Sequence, residues 1–152
     1  MSEETNGPVG DIDPLLAENL DDVSTKEPLW PKSVYPLEIV KLVQVRNKAN
    51  TGNMINIELK TTKEHRAVTG ENVPIGRRVF GRVLLTASEN FGEGEIKRGV
   101  KKFMECFGQT GSLAPLDRFV GCVGDVRCGD SKATDDYPDV RTEIKDWVPR
   151  KH

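Results

Sequence analysis

The length, composition and charge of this chain exclude several classes of protein. Its 152 residues suffice for one domain of ordinary size plus a tail, and no apolar run reaches the roughly 18 residues of a membrane-spanning helix. The N-terminus has neither the basic nor the apolar region of a secretory signal, so we expect a cytoplasmic protein without membrane contact. Three cysteines without a Cys-x-x-Cys pair and two histidines cannot supply four closely spaced zinc ligands, so no metal or cofactor is expected.

Acidic residues are concentrated at the start of the chain. Residues 1–33 hold eight acidic and two basic side chains, whereas residues 34–152 hold 16 acidic and 20 basic ones. Because the first 33 residues also contain several prolines and few large apolar side chains, they are predicted to form a disordered or loosely packed acidic tail. Within this tail, residues 14–20 are predicted to form a short helical turn, with Asp13 as the N-cap and Pro14 at the first helical position.

The first two strands are predicted to pair as a hairpin. An apolar stretch over 35–46 is long enough for a curved strand, and residues 54–61 alternate between apolar and polar side chains, as a strand with one buried face does. Residues 47–53 have the composition of a turn, in which Gly52 is the expected position with a positive φ angle. The buried face of the second strand is predicted to carry Ile55, Ile57 and Leu59.

The third strand, predicted over 75–85, has two contrasting faces, because successive side chains of a strand point to opposite sides of the sheet. One face can contribute to a core, since it carries Val79, Val83 and Leu85. The other face carries Arg78, Phe80 and Arg82, so that an aromatic ring lies between two guanidinium groups. Arginine can bind a phosphate with two hydrogen bonds, and an exposed ring can stack on a base. This face therefore predicts a groove for single-stranded nucleic acid.

The second half of the chain is predicted to contain one helix and two more strands. Apolar residues recur at helical spacing in a helix that begins near Glu95 and ends at Gly108: Ile96, Val100, Phe103, Met104 and Phe107. A strand is predicted over 118–128, with Phe119 and Arg127 on one face, Val126 and Cys128 on the other, and glycines 121 and 124 as bulges. A last strand over 140–148 is predicted to lie at an edge of the sheet. Residues 62–74 and 129–138 are predicted loops.

The order of these elements predicts the fold class. Three consecutive strands, one helix and a closing pair of strands are typical of the OB-fold, a mainly β, five-stranded Greek-key barrel. We expect the barrel to occupy residues 34–149, between the acidic tail at 1–33 and a basic end at 150–152. In this fold, the face of the second and third strands and the loops beside it bind oligonucleotides.

The candidate site follows from this placement. Phosphates are expected to contact five basic residues, namely Arg46, Lys48, Lys60, Arg78 and Arg82, and Phe80 is expected to stack on a base. Arg127 and Tyr137 are predicted to extend the groove from the last pair of strands. Because phosphate contacts and stacking do not distinguish the sugar, RNA remains an alternative to DNA.

The chain resembles the phage-encoded OB-fold single-stranded DNA-binding proteins that are found beside replication and recombination genes. The resemblance covers about residues 35–149 and lies in residues 47–59, Gly-Arg-Arg-Val-Phe-Gly-Arg-Val-Leu-Leu-Thr at 76–86, Phe107-Gly108, Pro-Leu-Asp-Arg-Phe-Val-Gly at 115–121 and Glu-Ile-Lys-Asp-Trp-Val-Pro at 143–149. It implies sequence-tolerant binding to single-stranded DNA, without catalysis, in replication and recombination within the host cytoplasm. Bacterial proteins of this role usually carry an acidic docking tail at the C-terminus, whereas here the acidic tail precedes the domain.

Other functions agree less well with the sequence. No nucleophile with a partner base and no phosphate-binding glycine motif is evident, so an enzyme is not expected. The main alternative is an OB-like adaptor that docks on replication or virion proteins. The acidic tail could bind replication or recombination proteins, imitate DNA phosphates over the domain's own groove, or simply be solvated. Homo-oligomers are a further possibility, since a small excess of basic residues favours several copies acting along one strand.

Overall fold

The computed structural model describes residues 13–22, 27–88, 91–133, 135 and 140–150. Within these ranges the chain forms seven strands and one α-helix, together with two short 3-10 helices at Pro14–Leu16 and Leu116–Phe119. The strands are β1 (Ser33–Arg46), β2 (Asn53–Thr61), β3 (His65–Arg66), β4 (Asn72–Val73), β5 (Arg78–Leu84), β6 (Val123–Asp130) and β7 (Thr142–Trp147), and helix α1 spans Glu93–Cys106 between β5 and β6.

Five of the strands form one antiparallel sheet that curls into a nearly closed barrel. Hydrogen-bonded neighbours follow the order β5-β2-β1-β6-β7, and the two end strands, β5 and β7, contact each other. The strands β3 and β4 form a separate small hairpin. The prediction of a mainly β protein with five long strands and one helix after the third is confirmed.

The core lies inside the barrel, where the predicted alternation of side chains is observed. The apolar face of β2 and the inner positions of β5 are buried: Ile55, Ile57, Leu59, Val79 and Val83. Helix α1 covers one side of the barrel with its predicted apolar stripe, of which Phe103 is fully buried. The Phe103 ring lies 5.0 Å from the Trp147 ring and 5.3 Å from the Phe119 ring, centroid to centroid. These aromatic contacts join the helix to the last strand.

The turn between β1 and β2 differs from its prediction in one respect. Asn50 has the positive φ angle, +57°, and the assignment of that role to Gly52 is wrong. Asparagine tolerates this conformation better than other residues with a side chain. Gly52 has a different constraint, since a Cβ atom there would lie 2.9 Å from Cβ of Thr86. The glycine therefore allows the turn to pack against the end of β5.

The strand predicted over 118–128 begins later than expected. Residues Leu116–Phe119 form a 3-10 helix, and Gly121 has a φ angle of +87° before β6 starts at Val123. Because this turn rotates the chain, Phe119 is buried with Val126 and Cys128. Its predicted position on the opposite face, with Arg127, is therefore wrong. The last strand, β7, is shorter than predicted and lies at one end of the sheet order.

The region before the barrel contains one capped turn and one buried anchor. The predicted turn is present as the 3-10 helix Pro14–Leu16, and an Oδ1 atom of Asp13 accepts a hydrogen bond of 2.9 Å from the backbone N–H of Leu15. Trp30 belongs to the core, although it lies within the stretch expected to be loose. The barrel therefore holds the chain in place from about Trp30 onward.

Candidate nucleic-acid interface

The outer face of β5 carries the predicted arginine–phenylalanine–arginine arrangement. Thr61, at the end of β2, positions the start of β5, because its buried hydroxyl donates to the carbonyl of Pro74 and accepts from the backbone N–H of Arg77. From there the strand alternates, so Arg78, Phe80 and Arg82 all point outward and are exposed. Phe80 has 65% of its surface accessible, which is unusual for a large apolar residue. An exposed phenylalanine between two arginines has no role in the core.

Ion pairs distinguish the two arginines on this face. Arg78 lies opposite Lys60 in the β2–β5 register, and its Nε atom is 3.1 Å from a carboxylate oxygen of Glu58. Lys60 is itself 3.7 Å from Glu38. Arg82 has no ion pair or hydrogen bond with the described residues. Both pairs are accessible to solvent, and such pairs near the surface contribute only about 0–1 kcal/mol, so an incoming phosphate can displace them.

A groove of about 1110 Å³ runs beside the outer face of β5. Its opposite wall is formed by β7 and the residues before it, which the closure of the barrel brings close to β5. Four basic residues that line this groove were not part of the predicted site: Arg77, Lys132, Arg141 and Lys145. A signal for some of them was present, since residues 141, 143 and 145 alternate along the last strand and all carry charge.

Acidic residues also line the groove, so its charge is mixed. The described lining residues include six basic and four acidic ones, and the basic ones therefore exceed the acidic ones by two. Glu27 forms an ion pair with Arg77, and Lys145 lies 2.7 Å from Glu143. Asp146 is paired with Lys102 of α1 at 2.7 Å. The groove can still attract a polyanion, because its basic residues outnumber its acidic ones and Arg78 and Arg82 of β5 are exposed.

Gly81 sits where β5 approaches β7 in the barrel. A Cβ atom at this position would lie 2.7 Å from Cδ1 of Ile144 and 3.2 Å from the ring of Trp147. Glycine is therefore required for the close approach of β5 and β7. The Trp147 ring is buried against α1 and contacts Phe103 and Phe107, so it acts as a structural part of the groove floor.

Arg46 is held within the hairpin turn. Its Nε atom donates to the Asn50 side chain at 2.9 Å, its Nη2 atom donates to the Asn50 carbonyl at 2.7 Å, and its Nη1 atom donates to Asn53 at 3.4 Å. These bonds direct its N–H groups toward the turn and away from a ligand. Arg46 and Lys48 do not line the groove.

The remaining predicted site residues lie at different places on the barrel. Lys60 shares the outer face with Arg78 but does not line the groove. Arg127 is exposed on β6, where it lies opposite Val34 of β1 on one side and Asp146 of β7 on the other. It too does not line the groove. Tyr137 lies outside the described residues. The structure thus brings together Arg78, Phe80 and Arg82 with groove residues that the sequence had not indicated.

One end of the groove contains a buried aromatic cluster. Trp30 lines the groove, and its ring lies 4.4 Å from the His65 ring, which lies 4.5 Å from the Tyr35 ring. Burial lowers the pKa of His65 below its usual value, although a hydrogen bond with the backbone of Lys63 opposes this shift. Burial also raises the pKa of Tyr35. The cluster is an apolar anchor that is most stable with a neutral histidine.

The described residues offer few groups for other chemistry. Burial raises the pKa of both Cys106 and Cys128 to about 12, so these thiols are protonated and unreactive at neutral pH. Across the described ranges, no three histidine, cysteine or acidic side chains gather in a way that could hold a metal ion. Helix α1, the one α-helix described, has 14 residues and is too short and polar to cross a bilayer, as are the two 3-10 turns.

Comparison with known proteins identified no relative of this chain. No protein-family model matches the chain, and no curated protein matches it with significant similarity.

Proposed function

We propose that this protein binds single-stranded DNA without sequence preference and acts in phage-type DNA replication and recombination. We further propose that its barrel is an OB-fold with Greek-key connections. Three consecutive long strands, a helix between β5 and β6, and a final strand that returns to contact β5 support this assignment. The role in replication and recombination depends on the resemblance to phage single-stranded DNA-binding proteins.

The observation that carries the proposal is the outer face of β5. The ring of Phe80 is exposed between Arg78 and Arg82, at the edge of a groove long enough to be lined by residues of β5, β7 and the preceding loop. Stacking of a base on such a ring stabilises the complex by about 1–3 kcal/mol and tolerates every base. The arginines would bind the flanking phosphates, and together these contacts favour an unpaired strand, whose bases are available for stacking.

An adaptor that docks on another protein is the second candidate. It would require an apolar patch on the face formed by β2 and β5. Among the described residues of these two strands, Phe80 is the one large apolar side chain that is exposed, and its neighbours are Arg78, Glu58 and Arg82. A single ring among charged groups suits stacking on a base better than the apolar centre of a protein interface.

The test is fluorescence anisotropy with a labelled oligo-dT strand and a matched duplex across a series of salt concentrations. We expect a strong preference for the single strand, with the logarithm of affinity falling by about 0.7 per phosphate contact for each tenfold rise in salt. An oligo-rU competitor measures the preference for DNA over RNA. Equal binding to the duplex, or no binding to any strand, would contradict the proposal and favour the adaptor.

A pair of phenylalanine variants tests the stacking role. Phe80→Ala should weaken binding to oligo-dT by about tenfold or more, because one base loses its stacking partner. Phe91→Ala is the matched control, since Phe91 is 44% exposed but does not line the groove. If both variants bind as the wild type does, the face of β5 is not the binding site.

A further inference from the structure

We propose that residues 13–22 of one copy of this chain, the leucine segment, dock into an apolar groove beside α1 of a second copy. The leucine segment has three exposed leucines, Leu15, Leu16 and Leu20, whose accessible fractions are 59%, 78% and 49%. The Asp13 cap orders its 3-10 helix, and that helix contacts none of the other described helices and strands. Three exposed leucines within residues 15–20 concentrate apolar surface on one short segment, and concentrated apolar surface is typical of interaction sites.

A second groove, the helix groove, has apolar walls against which leucine side chains can pack. Its volume is about 710 Å³, and it lies between α1, the end of β5 and the loop after the helix. Five apolar side chains line it: Leu85, Ile96, Val100, Met104 and Leu113. Leu85, Val100 and Leu113 are only partly buried, so the barrel leaves apolar surface open there.

Charge indicates which occupant fits the helix groove. The leucine segment contains four acidic residues and no basic one, namely Asp13, Glu18, Asp21 and Asp22. The helix groove is lined by Lys97 and Lys101, both exposed and one helical turn apart, and Glu105 is the one acid among its described lining residues. Lys97 also pairs with Glu93 at 3.0 Å, but both side chains are exposed and such a pair is weak, so another acid can replace it. A docked segment could therefore bury its leucines while its acidic residues lie beside the two lysines.

The position at which the leucine segment joins the barrel indicates that the docked segment comes from a second copy. Glu27 is paired with Arg77, so the chain leaves the barrel beside the start of β5, whereas the helix groove lies at Leu85, just beyond the other end of that strand. Docking within one copy would require the intervening residues to run along the whole of β5. In the single chain, the leucine segment and the helix groove are both open. The leucine segment of a second copy can fill the helix groove without crossing the arginine face.

The proposed contact joins two different surfaces, so each copy in a row still offers a free surface at either end. Contacts of this head-to-tail kind generate open chains when the rotation between copies does not close a ring. This consequence for DNA rests on the proposed function: neighbours bound to one strand are at high effective concentration, so even a weak contact would make binding cooperative.

Sedimentation of the full chain without nucleic acid tests the contact itself. The average mass of the wild type should rise with protein concentration and reach no plateau. Leu15→Ser/Leu16→Ser and Lys97→Glu/Lys101→Glu should each weaken this association by roughly tenfold or more, since each removes one side of the contact. The matched control is Val68→Ser/Ile75→Ser, which changes two exposed apolar residues outside both surfaces. Thermal melts confirm that all variants are folded.

An equimolar mixture of the two interface variants decides between docking within one copy and docking between copies. The leucine variant keeps its helix groove and the lysine variant keeps its leucine segment, so the mixture can form one intact contact. We expect dimers in the mixture but nothing larger. A wild type that stays monomeric at every concentration, or a mixture without dimers, would overturn the proposal and leave the helix groove to the same chain or to another protein.

A pair of oligonucleotides separates this inference from the proposed function. On a strand long enough for one copy, the leucine variant should bind as the wild type does; on a strand that holds several copies, it should bind at least about tenfold more weakly at half saturation. Equal binding to the long strand would contradict cooperativity through this contact. If neither protein binds any strand while the wild type still self-associates, the proposed function fails and the contact between copies stands.

Discussion

The hairpin turn between β1 and β2 and the outer face of β5 both carry arginines that were predicted to bind phosphate, but the hydrogen bonds of these arginines differ. In the hairpin turn, all three nitrogens of the Arg46 guanidinium donate hydrogen bonds to Asn50 and Asn53. On the outer face of β5, Arg82 has no such partner among the described residues, whereas Arg78 pairs with the half-buried carboxylate of Glu58 and donates one long hydrogen bond, 3.3 Å, to the carbonyl of Gly76. The turn thus uses its arginine to hold its own backbone, whereas the strand leaves its arginines available to a ligand.

The difference arises from local geometry. A tight turn brings carbonyl and amide oxygens within reach of a long side chain, and those oxygens satisfy its donors. A strand in a sheet uses its backbone groups in the ladder, so an outward side chain meets only its cross-strand neighbours. Positive charge at the end of a hairpin is therefore weaker evidence for a binding site than the same charge in the middle of a strand.

The largest effect is expected when the two arginines of β5 are removed, because this variant tests directly whether they bind DNA. Arg78→Ala/Arg82→Ala should weaken binding to single-stranded DNA about a hundredfold or more, because hydrogen bonds to charged groups contribute about 1.5–3 kcal/mol each. The melting temperature should stay within about 2 °C of the wild type, since surface substitutions of this kind are usually small in effect. Anisotropy and thermal melts measure both quantities.

The matched control for this variant is Arg98→Ala/Arg127→Ala, which removes two exposed arginines outside the groove. It should change affinity only slightly. A loss of affinity as large as that of the β5 variant would show that the bound DNA strand passes over Arg127, as the sequence predicts.

The reverse pattern is expected in the turn. Arg46→Ala should lower the free energy of unfolding by about 1 kcal/mol, because several exposed hydrogen bonds of the turn are lost. Its effect on DNA affinity should be less than about twofold. Lys48→Ala, in the same turn, is the control and should leave stability unchanged. Denaturant unfolding and anisotropy would contradict the comparison if Arg46→Ala lost affinity but kept its stability.

A smaller effect should come from the carboxylate that pairs with Arg78. Glu58→Gln frees the Arg78 guanidinium and removes a negative charge next to the expected phosphate. Because exposed ion pairs contribute about 0–1 kcal/mol, affinity for oligo-dT should rise by about two- to fivefold. Glu64→Gln, an exposed acid that does not line the groove, controls for the change in net charge. Unchanged or weaker binding by Glu58→Gln would mean that Arg78 does not meet a phosphate.

The smallest predicted effect is a dependence of stability on pH that arises from His65 in the aromatic cluster and not from the arginines of the groove. Because burial holds the pKa of His65 below that of the unfolded chain, the unfolded state takes up a proton first as the pH falls. The contribution of His65 to stability is therefore complete above about pH 6.5 and is lost as the pH falls toward the lower pKa of the folded state. Thermal melts between pH 7 and pH 5 should show this loss, and His65→Phe should reduce it.

The control here is the double arginine variant of β5, which should keep the same dependence on pH as the wild type. Should His65→Phe and the wild type lose stability in parallel, the anchor would not be the group that responds to pH.

The sequence was sufficient to predict the strands and helix whose faces differ strongly in polarity. The alternation over β2 and β5 and the apolar stripe of α1 are confirmed, because burial against one core imposes these periods. The outward direction of Phe80 followed from the same alternation. These features depend on a few neighbours along the chain, so a local pattern reveals them.

Features that depend on three-dimensional packing could not be read in the same way. The 3-10 helix that buries Phe119 interrupts a stretch whose composition suits a strand. The bonds of Arg46 to Asn50 depend on the shape of the turn, and Lys132 and Lys145 line the groove only because β7 returns to β5. Each of these depends on contacts between residues that are distant in sequence or on the path of a loop.

The seam between β5 and β7 determines where the barrel can open first. These strands are the two ends of the hydrogen-bonded order and meet where the side chains of Ile144 and Trp147 pack against the backbone of Gly81. Backbone amides that face the seam lack a ladder partner, so hydrogen exchange should be faster there than on β1 and β2, which are bonded on both sides. Since the groove lies along this seam, a bound DNA strand would cover these faster-exchanging amides. Exchange with and without oligo-dT would therefore map the path of the strand on the unmodified protein.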